Sequence, residues 1–420
     1  MGRSTGRADL PLHGGRVPPW LAERMAALGR VIVEAMVIHY GRDEVLRRLA
    51  HPFWFQSLGA VTGMDWHSSG ITTSVLGALK RGLAPVSHEL GLYVCGGRGK
   101  QSRKTPVELR EISARHGLDG GSLERTSRLV AKVDNTAVQD GFQIYLHGFI
   151  VTTDGHWTVV QQGMNPEKGA ARRYHWLSTQ LPGFFDSPHA AIDGNPTGEI
   201  RNLADHRAEK NRQGQLALVE LGPDRVLDVL TREEGGVTQL VMPDHHDVRP
   251  KDISKRRLYG TLMAAAEAAP DAFDELLLIP GVGPRTLSSL ALVSEVVHGG
   301  ASRFSDPARF SLAHGGKDGH PFPVPTAVFD TSIRVMRLAV ERAKLGNDDK
   351  LTAIRALDRQ ARALETCASD EEVESIDIAR IIQEERAHSH RYGGRTVSGY
   401  VPPPRSKPVD TKQLGLPGFD

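Results

Sequence analysis

Gly141-Phe-Gln-Ile-Tyr-Leu-His-Gly-Phe-Ile-Val151, then Asp154-Gly155, then His156-Trp-Thr-Val-Val-Gln-Gln162, is the stretch that decides the fold. Aromatic and β-branched residues fill both runs, and an Asp-Gly pair between such runs supplies the positive-φ positions of a tight turn. The segment therefore predicts an antiparallel hairpin. At a period of two, Gln143, Tyr145 and His147 share one face and leave Phe142, Ile144 and Leu146 for the core. Arg172-Arg-Tyr-His-Trp176 returns to the same neighbourhood after a short loop. A face carrying Gln, Tyr and His beside Gln161 is either a reactive or base-reading surface or the solvent side of a half-buried sheet.

Upstream, apolar periodicity predicts helices over Pro19 to about Tyr40, Asp43–Leu49, Ser74–Arg81, Thr105–His116 and Ser122–Asp134. Residues His51–Gln56 lead into a polar, turn-rich loop, Gly63-Met-Asp-Trp-His-Ser-Ser-Gly70. Downstream, a polar helical stretch is expected from Thr197 to about Arg232, and Lys251–Ala268 reads as the first helix of a second domain. That domain contains Ile279-Pro-Gly-Val-Gly-Pro-Arg-Thr286 between two apolar-periodic segments, which reads as helix, tight hairpin, helix. Gly281 and Gly283 permit positive φ and close backbone approach, and Pro284 suits the first position of the second helix. Such a hairpin aims amide groups and a helix N-terminus at a phosphate and holds a nucleic-acid backbone without reading sequence. The expected class is α+β. It comprises a mixed α/β domain with an antiparallel hairpin over residues 1–245, an all-helical helix-hairpin-helix domain over 246–390, and a disordered tail over 391–420.

At 420 residues the chain has room for two cores. Its 52 Lys and Arg against 50 Asp and Glu leave a net charge of +2, so nucleic-acid binding must rest on local patches such as Lys100-Gln-Ser-Arg-Lys104 and Arg172-Arg173. Two distant cysteines, without a CxxC, argue against a disulfide scaffold and a cysteine-ligated cluster. Met1-Gly-Arg-Ser-Thr-Gly-Arg7 lacks an apolar core and no run reaches membrane-span length. A cytoplasmic, nucleoid-associated protein with no membrane partner is expected.

Val328-Phe-Asp-Thr-Ser-Ile-Arg-Val-Met-Arg337 follows the hairpin. Together the two pieces resemble the helix-hairpin-helix base-excision DNA glycosylases, whose pattern is L-P-G-V-G-x-K-T followed by V-D-T-H-I-x-R-V. Arg285 stands in the place of the lysine of the lyase members, and Ser332 in the place of the histidine. The resemblance implies that Gly281, Gly283, Arg285, Thr286 and Arg334 grip DNA. It also implies that Asp330 faces the sugar of a flipped nucleotide, where it stabilises an oxocarbenium-like transition state or activates a water. As a plain helix cap Asp330 needs no such role. Lys317, in the His314–Pro325 insertion, is a further amine candidate.

A second candidate set lies in the first domain: His67, Asp140, His147 and His175 for catalysis, with Lys132, Arg172 and Arg173 for DNA. No HxxxH or HxH spacing appears in it, so no metal ligand is assigned and a divalent ion is the one cofactor left open. The stretches Leu10-Pro-Leu-His-Gly-Gly15, Pro52-Phe-Trp-Phe-Gln56, Asp65-Trp-His-Ser-Ser-Gly70, Gln139-Asp-Gly-Phe-Gln-Ile-Tyr145 and Arg172–Trp176 closely resemble a family catalogued as domain of unknown function number 763. That resemblance spans most of residues 1–390. Finally, Lys412-Gln-Leu-Gly-Leu-Pro-Gly-Phe-Asp420 resembles the short peptide by which bacterial repair proteins dock on the sliding clamp. Gln413, Leu414, Leu416 and Phe419 would make that contact. These features lead to the expectation of a DNA repair enzyme that excises or incises at an oxidised or deaminated base. The alternatives are a metal-dependent structure-specific nuclease and a non-catalytic recombination or repair accessory protein.

Overall fold

The computed structural model describes residues 10–11, 17, 19–62, 69–194, 199–226, 255–300, 304–308, 395–396 and 399–400. Helices α1 (Pro19–Tyr40), α2 (Arg42–Ala50), α3 (Pro52–Val61), α4 (Ser69–Leu83) and the short α5 (Ser87–Leu90) precede strand β2 (Leu92–Arg98); a two-residue strand, β1 (Leu10–Pro11), stands before them. Then come α6 (Thr105–His116), α7 (Gly120–Lys132), a single π-turn (Val133–Ala137), β3 (Val138–Gln139), β4 (Gln143–Thr152), β5 (Trp157–Asn165), β6 (Ala170–Leu177), β7 (Ala191–Asp193) and β8 (Glu199–Asn202). Helices α8 (Glu209–Leu221), α9 (Lys255–Ala268), α10 (Phe273–Leu278) and α11 (Pro284–His298) and strand β9 (Phe304–Ser305) follow.

The main sheet is antiparallel throughout, in the order β1-β6-β5-β4-β2, with β7 also on β6; β3, β8 and β9 form a smaller sheet. The predicted hairpin is the β4–β5 turn. Gly155 sits at φ +84°, and Thr152 N donates to His156 O at 2.9 Å. Both faces of the sheet are covered. On one, Leu146, Ile150, Val160 and Leu177 pack with residues of α1 to α4. On the other, Phe149, Val151, Val159 and Trp176 pack with residues of α6, α7, α8, α10 and α11. Gln143 stays exposed and Ile144 and Tyr145 half-buried, but from Leu146 onward β4 is buried on both sides, so His147 lies inside the protein. The α10–α11 pair has no core of its own among the described residues: Leu276, Leu277, Leu287 and Leu290 join the cluster that holds Leu129, Val133 and Trp176.

Pro52 takes the first position of α3, where a missing N–H costs nothing. One other expectation changes. The stretch after Thr197 begins with a strand, β8, because Ile200 is fully buried and Val138–Gln139 offers it a pairing edge. In the predicted tail, Arg395–Thr396 pairs with Gly399–Tyr400, and its other residues lie outside the described ones.

Candidate functional site

The hairpin between α10 and α11 keeps the geometry read from its glycines, with one change. Gly281 has φ +90°, a conformation that L side chains rarely adopt, whereas Gly283 is extended at φ −136° and serves as the N-cap of α11. Val282 is buried as the anchor, while Pro280, Gly281, Pro284 and Arg285 are exposed. No side chain caps the start of α11, and Pro284 takes its first position. Thr286, at the third position of α11, is 7 % exposed.

The turn is fixed from below by the π-turn region. Lys132 Nζ donates to Val282 O at 2.6 Å, and Gln139 Nε2 donates to Pro284 O at 3.0 Å. Ser288 Oγ donates to Gln139 Oε1 at 2.6 Å, and Asn211 Nδ2 donates to Ala291 O at 3.0 Å. Gly214 lets α8 meet α11, since a Cβ there would lie 2.1 Å from Ser294 Oγ. Lys132 therefore supports the hairpin, and burial lowers its pKa. Arg98 pairs with Leu146, and Asn135 of the π-turn accepts a hydrogen bond from Ile144 N at 3.1 Å. By this register the exposed Lys100, Arg103 and Lys104, just beyond Arg98, leave the sheet at the same end as the turn that carries the hairpin.

Arg172 and Arg173, expected on DNA, are sealed in the protein. Arg172 pairs with Asp140 at 2.7 Å and Asp306 at 2.8 Å, over the Phe142 ring; Arg173 pairs with Asp193 and lies over Phe55. Neighbouring residues of a strand point to opposite faces, so the two guanidinium groups end in different cores, each held by a carboxylate. For Arg172 burial disfavours the charge, but Asp140, Tyr174 and Asp306 together outweigh it and raise the pKa.

Of the catalytic set of the first domain, Asp140, His147 and His175 do not converge. A bulge between Ile144 and Leu146 turns Tyr145 to the α4 side, where Gln162 Nε2 donates to its hydroxyl and to Ser69 O. His147 points to the other face. Its Nδ1–H donates to Gln161 Oε1 at 2.6 Å, and its Nε2 accepts from Ser127 Oγ at 2.9 Å. His175 lies on the α2 side, with Nδ1–H donating to Leu49 O at 3.2 Å and Nε2 accepting from Arg173 Nε at 3.1 Å. Both rings have their two nitrogens occupied, and burial lowers both pKa values, that of His175 strongly. Neither offers a lone pair to a metal or a substrate. Asp140 holds Arg172 and accepts from Tyr174 at 2.7 Å; burial raises its pKa against the pull of Arg172. These three are structural, and among the described residues no group of three or more His, Cys, Asp or Glu could hold a metal ion. His67, Lys317, Asp330, Arg334 and the clamp-like Gln413, Leu414, Leu416 and Phe419 lie outside the described residues.

A pairing that the sequence does not announce is Asp134 with His189. Asp134 Oδ1 accepts from His189 Nε2 at 2.5 Å, while Oδ2 accepts from Trp176 Nε1 at 2.9 Å and from Gln161 Nε2. The partners are 55 residues apart and share no local motif.

No helix among the described residues is long and apolar enough to cross a membrane. No curated protein and no solved structure matches the chain. The sequence pattern of the family described as Protein of unknown function (DUF763) matches residues 6–324, and the chain belongs to that family.

Proposed function

We propose that this protein binds DNA through a helix-hairpin-helix formed by α10 and α11 and excises a damaged base, oxidised or deaminated, by hydrolysis of its N-glycosidic bond. The observation that carries the reading is the hairpin itself. An exposed Pro280-Gly281 tip with Gly281 at φ +90°, a buried Val282 anchor and an uncapped start of α11 beside the exposed Arg285 make a rigid seat for a backbone phosphate. Lys100, Arg103 and Lys104, at the same end of the sheet, extend the positive surface along the duplex. Asp330 then faces the sugar, and the peptide ending in Phe419 delivers the enzyme to the sliding clamp.

The test is a panel of end-labelled duplexes, each with one damaged or mismatched base, incubated with and without EDTA and with and without alkali. Strand breaks that appear only after alkali and survive EDTA are expected. Direct incision abolished by EDTA replaces the reading with a metal-dependent nuclease, and binding without turnover on every duplex replaces it with an accessory protein.

A further inference from the structure

We infer that His189, held by Asp134, is the general base that activates the attacking water, an assignment that rests on the hydrolytic reading above. Of the histidines against the main sheet, His147 and His175 have both ring nitrogens engaged inside the protein. His189 has one engaged. Its Nε2 faces a carboxylate, which only accepts, so Nε2 carries a proton and, in the neutral ring, Nδ1 carries the lone pair. Among the described residues nothing donates to that Nδ1, and the side chain retains 8 % exposure.

The ring is held in a single orientation. Trp176 stands edge-on to it at a centroid distance of 4.5 Å, and Tyr174 lies at 6.1 Å. The loop is tied on both sides of it, with Ser187 N donating to Ala204 O and Ala190 N donating to His175 O, each at 2.9 Å. Ser187 occupies φ +52°, an unfavourable position for a non-glycine residue and one of two such residues among those described. Asp134 is itself fixed by three donors and is fully buried, so it orients the imidazole without reaching the substrate. It is a positioning residue. His156 pairs with Asp43 at 2.8 Å, but both side chains are about half exposed, on the surface. That contrast separates a built dyad from a solvated ion pair.

Placement links the dyad to DNA. Asp134 belongs to the π-turn, two residues after Lys132, whose ammonium holds the hairpin carbonyl of Val282. In the step proposed, His189 Nδ1 takes a proton from water as the water oxygen bonds to C1′ of the damaged nucleotide. The C1′–N bond breaks, its electron pair leaves with the base, and the base acquires the proton from the imidazolium through solvent, which regenerates neutral His189.

The test uses the full chain and a duplex containing a tetrahydrofuran abasic analogue. Ring-nitrogen NMR is expected to show His189 as the Nε2–H tautomer and to show its resonances moving when the duplex is added, while those of His147 and His175 stay in place. Asp134→Asn should give a mixture of His189 tautomers. On a duplex that the wild type processes, His189→Gln keeps the donor to Asp134 and removes the base. It should lower kcat by about 100-fold or more, the scale of general-base catalysis, with DNA affinity and unfolding midpoint unchanged. A His189 ring that the duplex does not move, or a His189→Gln enzyme with the wild-type kcat, overturns the assignment. A wild type that processes no duplex refutes the glycosylase reading separately, and the NMR result alone then decides whether His189 meets the DNA.

Discussion

Ala170–Leu177 and Gly99–Lys104 both read as basic stretches, yet one is wholly buried and the other lies on the surface. Strand β6 runs through the middle of a sheet covered on both faces, so Arg172 and Arg173 are driven into opposite cores and survive there because Asp140, Asp306 and Asp193 meet them. Lys100, Arg103 and Lys104 follow the end of β2, the last strand of the sheet, and no carboxylate interrupts the run. Identical charges thus stabilise a core in one place and remain available to a polyanion in the other. What decides between them is the layer above the strand.

Breaking the buried side of this contrast should have the largest effect. Arg172→Ala leaves Asp140 and Asp306 buried without their cation and should cost about 3–5 kcal/mol in urea unfolding. Replacing both members of the second pair, Arg173→Met with Asp193→Leu, should cost far less than Arg173→Met alone, because no lone charge is stranded. If Arg172→Ala instead kept full stability and reduced DNA affinity, the assignment of β6 to the core would fail.

A smaller effect is expected at the hairpin. Gly281→Val forces a β-branched residue to φ +90°, with its Cβ 3.1 Å from Thr261 Oγ1. A strain of about 1–3 kcal/mol should appear in thermal unfolding, and fluorescence anisotropy should show weaker binding to duplex DNA.

Acid sharpens the comparison further. Burial holds His147 and His175 neutral below the ordinary value of 6.5, so the unfolded chain binds more protons in the window under pH 6.5. Stability is then fully present above 6.5 and falls as the pH drops towards the folded-state values, by up to about 1.4 kcal/mol per pH unit for each ring. Urea midpoints at pH 7.5, 6 and 5 should follow that order, and His147→Gln should flatten the slope.

The smallest change belongs to the exposed patch. Lys100→Ala, Arg103→Ala and Lys104→Ala together should leave the unfolding midpoint unchanged and lower the salt dependence of DNA binding by about 0.9 in log–log slope for each phosphate no longer neutralised. An unaltered slope would remove this loop from the interface.

Local chemistry was the legible part of this molecule. Asp154-Gly155 announced its turn, Pro284 marked a helix start, and Gly281 its positive φ, because each depends on a few neighbouring residues. The faces of β4 were not legible. One extra residue at the bulge moves Tyr145 away from His147, and the two-sided cover comes from helices far along the chain. The arginines of β6 looked available since their partners, Asp140, Asp193 and Asp306, carry no spacing signal. The link between Asp134 and His189 was hidden for the same reason.

The shared core has a practical meaning for anyone dissecting this protein. Because α10 and α11 bury Leu276, Leu287 and Leu290 among residues of α7 and β6, a fragment carrying them alone would present a greasy, sticky face to solvent. Cleaving the backbone between residues 226 and 255 should yield two polypeptides that elute as one particle and come apart only in denaturant. The α10–α11 turn is in this sense not transplantable: grafted onto another scaffold it would arrive without its foundation.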